Sequence, residues 1–105
     1  MGEPGRGPLT EAMFYTLMAL LKGYVCGTDV AGQVERRTGG LVKLGPGTLY
    51  TILARFLEEK LIVEVESTEG GRRRVYSITE KGRAVYRAEL ERLRRCLRDG
   101  EEAQQ

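Results

Sequence analysis

The chain has 105 residues, 41% hydrophobic and 30% charged, with a net charge of +2, which is typical of one globular domain with a modest core. It contains no histidine and only two distant cysteines, which argues against acid–base catalysis and against a metal centre. The longest apolar stretch, residues 13–21, is too short to cross a bilayer and the N-terminus lacks a signal-peptide pattern, so we expect a soluble cytoplasmic protein that is not an enzyme and has no cofactor.

Two helices are predicted in the first part of the chain. Thr10 is a typical N-cap for a helix that extends to about Lys22, because apolar residues recur after it at helical spacing. A second helix follows, capped by Thr28 or Asp29. The glycines after Thr38 end it, because glycine readily adopts the left-handed conformation beyond a helix. Both helices have an apolar side that is expected to face the core.

A third helix is predicted to begin at Pro46, within the sequence GPGTLYTILARFLEEK. Its leucine, isoleucine and phenylalanine side chains share one face, and the opposite face is small and uncharged at its N-terminal end. Such a face lets a helix come close to the major groove of DNA, where threonine and arginine side chains bond to bases or phosphates. We therefore predict DNA contacts from Lys43, Pro46, Gly47, Thr48, Tyr50, Thr51 and Arg55.

Some of these residues also have an ordinary structural interpretation. Pro46 and Gly47 are common where any helix begins, and Thr48 is also suited to an additional cap. Tyr50 lies at the boundary between the two faces, so it is equally well explained as a core residue. Both interpretations stay open at the level of sequence.

A β-hairpin is predicted next. Residues 61–67 alternate between apolar and acidic, and residues 72–78 form a second strand after a turn that contains two glycines. Three arginines follow those glycines directly, which is expected either of a solvated strand edge or of a segment that contacts phosphates. We predict that the hairpin binds DNA through Gly71, Arg72, Arg73, Arg74 and Tyr76.

The last predicted helix is capped by Thr79 and extends to about Arg98. Four side chains within it recur at spacings of four, three and four residues, which is a heptad pattern and predicts pairing with another helix. They are Tyr86, Leu90, Leu93 and Leu97. We predict that this seam forms a homodimer interface.

The order of three helices, two strands and one helix predicts a fold that is mainly α with a small β-hairpin. This α+β arrangement is a winged helix-turn-helix followed by a C-terminal dimerisation helix. The predicted parts are a flexible N-terminal tail (1–8), a DNA-binding domain (9–79), a dimerisation helix (80–98) and a flexible tail (99–105).

The same region resembles a known family. The stretch GPGTLYTILARFLEEKLIVEVESTEGGRRRVYSITEKG resembles the signature region of PadR-type transcriptional regulators, and CGTDVAGQVERRTGG resembles their second helix. The resemblance implies a homodimeric winged-helix repressor of the short branch with one C-terminal helix. It also implies that this helix, together with the first helix, forms the dimer interface. That branch includes drug-sensing repressors with an apolar pocket between the two C-terminal helices. One such repressor stacks flat ligands on a tryptophan of its C-terminal helix. This chain has no tryptophan, and Leu93 stands at the matching position.

Together these patterns predict a sequence-specific transcriptional regulator, a repressor that a small molecule releases from DNA. Its expected partners are a second copy of the chain, a palindromic double-stranded DNA operator and, where an effector exists, an apolar small molecule. No membrane partner is expected. The alternative is a winged-helix module that binds protein and not DNA. Cys26 and Cys96 are explained either as reduced structural thiols or as a redox switch.

Overall fold

A computed structural model of the chain describes residues 7–23, 25–65 and 74–105. The described residues form four helices and three strands. In chain order these are α1 (Glu11–Leu20), β1 (Val25–Cys26), α2 (Gly27–Arg37), α3 (Pro46–Glu58), β2 (Ile62–Val65), β3 (Val75–Ile78) and α4 (Glu80–Ala103). The predicted class, mainly α with a small β-hairpin, is confirmed.

Two of the predicted helix caps are confirmed. The Thr10 hydroxyl accepts a hydrogen bond from the Met13 N–H at 3.1 Å, and the Thr79 hydroxyl accepts one from the Gly82 N–H at 3.0 Å. Each bond satisfies a backbone donor that the first turn of a helix leaves without an intrahelical acceptor. The sequence therefore fixes the starts of α1 and α4 locally.

The predicted start of α2 is wrong by two or three residues. The helix begins at Gly27 with Cys26 as its N-cap, and neither Thr28 nor Asp29 has that position. The Cys26 Sγ lies 3.3 Å from the Thr28 hydroxyl oxygen instead. The reason is tertiary, because Cys26 ends the strand β1 and the chain turns directly from that strand into the helix.

The strand β1 was not predicted, because two residues are too few to show an alternating pattern. It pairs with β3, Val25 opposite Tyr76, so that the sheet has the antiparallel order β1-β3-β2. The predicted hairpin of β2 and β3 is present in the described residues, with Ile62 opposite Ile78 and Val65 opposite Val75. The hairpin is therefore attached along its second strand to the start of α2.

One core unites the first three helices and the sheet. The fully buried side chains include Leu17, Leu20, Val30, Phe56 and Leu61. Thr16 is buried with them, and its hydroxyl donates to the Ala12 carbonyl at 2.7 Å, which satisfies the polar group within its own helix. The inner faces of α1, α2 and α3 therefore match the apolar positions of the sequence.

The start of α4 lies directly on the backbone that connects α3 to β2. The Thr79 hydroxyl oxygen lies 2.8 Å from the Lys60 carbonyl oxygen and 3.0 Å from that of Leu61. A Cβ atom on Gly82 would lie only 2.2 Å from the Leu61 carbonyl oxygen. Close packing at a position without a side chain thus sets where α4 leaves the domain.

The helix α4 is longer than predicted. Its 24 residues extend to Ala103, whereas the sequence predicts an end near Arg98 and a tail from residue 99. Gly100 lies within the helix, and a Cβ added there would meet no atom within 4 Å. Packing therefore does not require a glycine at this exposed position. Most of the C-terminal half of α4 is exposed and projects away from the core.

Candidate nucleic-acid interface

The helix α3 presents two different faces. Leu49, Ile52, Leu53 and Phe56 are buried and attach it to the core. On the outer face Tyr50 is 51% exposed, so its interpretation as a core residue is not supported. Among the predicted contact residues, the structure places Pro46, Gly47, Thr48, Tyr50, Thr51 and Arg55 on the exposed surface of this one helix. The arrangement is a rigid helix with small and polar groups facing outward at its N-terminal end.

The start of α3 leaves backbone donors open. Gly45 is the N-cap and has no side chain to accept a hydrogen bond, and Pro46 occupies the first turn. The first intrahelical bond is donated by the Leu49 N–H to the Gly45 carbonyl at 2.9 Å. The N–H groups of Gly47 and Thr48 precede it and point beyond the helix end, where they can donate to an anion such as a phosphate.

The loop before α3 is held by a side chain that sequence reasoning missed. The Thr38 hydroxyl donates to the Val34 carbonyl at 2.9 Å and accepts from the Val42 N–H at 3.0 Å. Val42 is buried beneath the loop, and Lys43 beside it is exposed next to the start of α3. A threonine directly after a helix, followed by two glycines, is the only signal in the sequence that could have indicated this brace.

Arg55 is not isolated on the outer face. Its Nε donates to Glu59 Oε2 at 2.9 Å, one helical turn away, and 61% of the arginine side chain is exposed. An exposed pair of this kind contributes little stability and is readily exchanged for another anion. Glu59 therefore orients the guanidinium without preventing it from reaching a phosphate or a base.

The predicted hairpin contacts are only partly described. Arg74 is exposed at the start of β3, and its Nε lies 4.0 Å from Glu64 Oε2 on the neighbouring strand. Gly71, Arg72 and Arg73 lie outside the described residues. Their predicted role therefore stays a prediction, whereas Arg74 is placed on the same hairpin as a cation open to solvent.

Tyr76 is a correction to the predicted set. It is only 2% exposed, between Val25 on one side and Glu64 on the other, and it belongs to the core. Burial raises the pKa of its hydroxyl, and the negative charge of Glu64 raises this pKa further. The physical reason is strand alternation, because Tyr76 shares its face of β3 with Ile78 and that face is turned inward.

The heptad seam of α4 divides into two parts. Tyr86 is partly buried and its ring stacks on Phe14 of α1, with centroids 5.2 Å apart and planes 5° from parallel. Farther along, Leu93 is 38% exposed and Leu97 is 63% exposed, and Leu90 between the two parts is partly buried. Within this chain the seam is thus covered at its N-terminal end and open at its C-terminal end.

The described residues contain no group of three acidic or cysteine side chains placed to hold a metal ion. In the same part of the chain, no helix is both long enough and apolar enough to cross a membrane. The exposed residues of the outer face of α3 are small or polar, with Lys43 before the helix and Arg55 farther along it as cations.

A model of the PadR-like family of transcriptional regulators matches residues 16–88. The chain belongs to this family. The match extends from within α1 to the first turns of α4, so the resemblance seen in the sequence is confirmed. The family consists of transcriptional regulators.

Solved structures of other proteins share this fold. A PadR family transcription regulator from Clostridium difficile is 24% identical, has a TM-score of 0.78, and is matched over 91% of this chain and 100% of its own. The PadR protein of Bacillus subtilis in complex with operator DNA is 20% identical with a TM-score of 0.69, over 79% of this chain and 48% of that one. At these identities the likeness confirms the fold.

A curated relative, a 37.1 kDa protein from a transposon of Streptomyces fradiae, is 33% identical over 85 residues. The match includes 81% of this chain but only 24% of the relative. The chain therefore spans about a quarter of that protein.

Proposed function

We propose that this PadR-like chain is a homodimeric, sequence-specific DNA-binding regulator that acts in the cytoplasm as a repressor. The observation that carries the proposal is the outer face of α3, where Gly47, Thr48, Tyr50 and Thr51 are exposed together beside open backbone donors. A face with short polar side chains and no bulky charge at its N-terminal end can lie deep in a major groove.

Each group on this surface has a chemical role in the proposal. Thr48, Thr51 and Tyr50 carry hydroxyl groups that can donate to or accept from base edges, and they provide sequence choice. Lys43, Arg55 and the N–H groups at the start of α3 bind phosphates and fix the orientation on the duplex. Arg72, Arg73 and Arg74 of the hairpin add further phosphate contacts, which contribute affinity at any sequence.

The homodimer is supported by the open end of the α4 seam. Leu93 and Leu97 lie on the same side of an exposed helix and are 38% and 63% exposed in this chain. Pairing with a second copy removes this apolar surface from water and creates two symmetric half-sites, which suit a palindromic operator. In this arrangement an apolar effector would lie between the two α4 helices and change the spacing of the half-sites.

A gel shift with the DNA upstream of the gene that encodes this chain tests the proposal. We expect a retarded complex that weakens as salt is raised, because phosphate binding releases counterions. Arg55→Ala should lower the affinity by about 1–2 kcal/mol through the loss of a charge-assisted bond. Arg98→Ala removes an equally charged, exposed side chain from α4 and serves as the control.

The opposite result would favour the alternative interpretation as a protein-binding module. If the chain binds the upstream DNA no better than an unrelated duplex at every salt concentration, sequence-specific DNA binding is wrong. If it binds specifically but Arg55→Ala and Arg98→Ala behave alike, the outer face of α3 is not the contact surface.

A further inference from the structure

A group of three cations lies away from the outer face of α3, where the end of α1 meets the end of α2. Lys22, Arg36 and Arg37 line an open concave surface together with Gln33. None of the three cations forms an ion pair with a described residue. We call this set the cationic cluster. Its floor continues into a small groove lined by Tyr15, Met18, Ala19 and Val34.

The last turns of α4 carry the opposite charge. Asp99, Glu101 and Glu102 are exposed, and they too form no ion pair with a described residue. Acidic groups near the C-terminal end of a helix are unfavourable, because that end carries the negative pole of the helix dipole. An external cation at this end would therefore stabilise the helix. We call these three residues the acidic end.

The register of the seam connects these two surfaces. If α4 pairs with a second copy in the antiparallel sense, Leu97 of one copy lies against Tyr86 of the other, and Leu93 lies against Leu90. The acidic end, which begins within a turn of Leu97, then reaches the first turns of the other α4, beside Tyr86. A parallel pair would bring the two acidic ends together, which like-charge repulsion disfavours.

Tyr86 also marks the position of the cationic cluster. Burial raises the pKa of the Tyr86 hydroxyl, and the positive charge of Arg37 opposes that rise, so Arg37 lies within electrostatic reach of this ring. Tyr86 stacks on Phe14, and Tyr15 beside it lines the groove next to the cluster. In the antiparallel pair, the ring that would face Leu97 of a second copy is thus within electrostatic reach of Arg37 of the cluster.

We propose that the acidic end of each α4 docks on the cationic cluster of the second copy, so that two equivalent electrostatic contacts flank the apolar seam. This inference rests on the homodimer of the proposed function and specifies its antiparallel register. Charge complementarity selects a second copy as the occupant of the cluster, because the same chain supplies both uncompensated surfaces.

Charge reversal with sedimentation equilibrium tests the contact. Glu101→Lys with Glu102→Lys, and separately Arg36→Glu with Arg37→Glu, should each weaken the dimer roughly 10- to 100-fold at about 50 mM salt. The variant that carries all four changes restores opposite charges and should regain most of the wild-type affinity. At about 1 M salt the differences should disappear, because exposed charges are then screened beyond about 3 Å.

Two controls keep the result interpretable. Glu58→Lys makes the same charge change per site on the exposed end of α3 and should leave the dimer unchanged. If reversal at the end of α2 lowers the thermal stability, Arg36→Gln with Arg37→Gln replaces it, with a smaller loss of dimer affinity expected.

The outcomes separate this inference from the proposed function. Wild-type protein that sediments as a monomer at all concentrations contradicts the homodimer itself. A wild-type dimer that tolerates both reversals, or a four-residue variant that is no tighter than either parent, overturns the electrostatic contact and leaves the homodimer standing. Reversal of Arg36 and Arg37 that weakens DNA binding but not the dimer would also overturn it, and would assign the cluster to phosphates.

Discussion

At the scale of single residues, Gly82 in the first turn of α4 has the least room for a side chain among the described glycines. An added Cβ would lie 2.2 Å from the Leu61 carbonyl oxygen and 2.7 Å from Ile78 Cγ1. The first of these neighbours is backbone, so the helix itself would have to move. Thr79 fixes the same junction through its cap and its contacts with two carbonyl oxygens.

Gly82→Ala is therefore expected to destabilise the domain, although alanine favours helices. Overpacking against the backbone should cost about 1–3 kcal/mol after the gain in helix propensity. Gly100→Ala, in the same helix but with no atom within 4 Å of its added Cβ, should instead be neutral or slightly stabilising. Urea denaturation of both variants measures the difference, and equal effects would contradict the packing argument.

At the scale of elements, the hairpin and the helix α3 have separate tasks in the proposed function. The hairpin exposes Arg74, which Arg72 and Arg73 precede in the sequence, whereas α3 presents mainly hydroxyl groups. Cations contribute affinity without sequence choice, and hydroxyl groups can distinguish base edges. Burial of Tyr76 means that the hairpin attaches to the body through this ring and does not use it on DNA.

Arg72→Ala combined with Arg73→Ala is expected to weaken binding to every DNA sequence alike. Each lost phosphate contact releases about one counterion fewer, and a dimer loses two such contacts from each copy. The slope of log K against log salt should therefore flatten by about four units. Arg95→Ala combined with Arg98→Ala removes the same charge from exposed positions of α4 and should leave the slope unchanged. An unaltered affinity and slope in the hairpin variant would contradict the proposed phosphate contact.

At the scale of the whole molecule, the structure consists of a packed domain and one helix that projects from it. The N-terminal half of α4 is held by the core through the stacking of Tyr86 on Phe14. The C-terminal half belongs to the same 24-residue helix but has little cover from the core. Leu97 in this half is 63% exposed. A single helix with an open apolar side is better explained by assembly than by an isolated chain.

Leu93→Glu is expected to convert the dimer into a monomer. The substitution places two like charges in the middle of the antiparallel seam, where each must be removed from water for the helices to meet. Val63→Glu introduces the same group at a side chain of similar exposure, 47% against 38%, on β2, and should leave the dimer intact. Sedimentation velocity distinguishes the two, and an unchanged dimer with Leu93→Glu would place the interface elsewhere.

The sequence by itself determined the helices, the hairpin, the caps at Thr10 and Thr79, the apolar face of α3 and the family. These features depend on neighbours within a few residues, or on a pattern that repeats along the chain, so they can be predicted without a structure. The exposure of Thr48, Thr51 and Arg55 was predictable for the same reason, because it follows from the opposite face of a helix whose inner face is apolar.

The tertiary structure decided what depends on contacts between distant residues. It added β1, because a two-residue strand exists only through its pairing with β3. It placed Tyr76 in the core. Strand alternation shows which residues share a face, but only the packed structure shows which of the two faces is covered. It stacked Tyr86 of α4 on Phe14 of α1. Contacts between residues distant in sequence determine each of these three features, and local propensity does not predict such contacts.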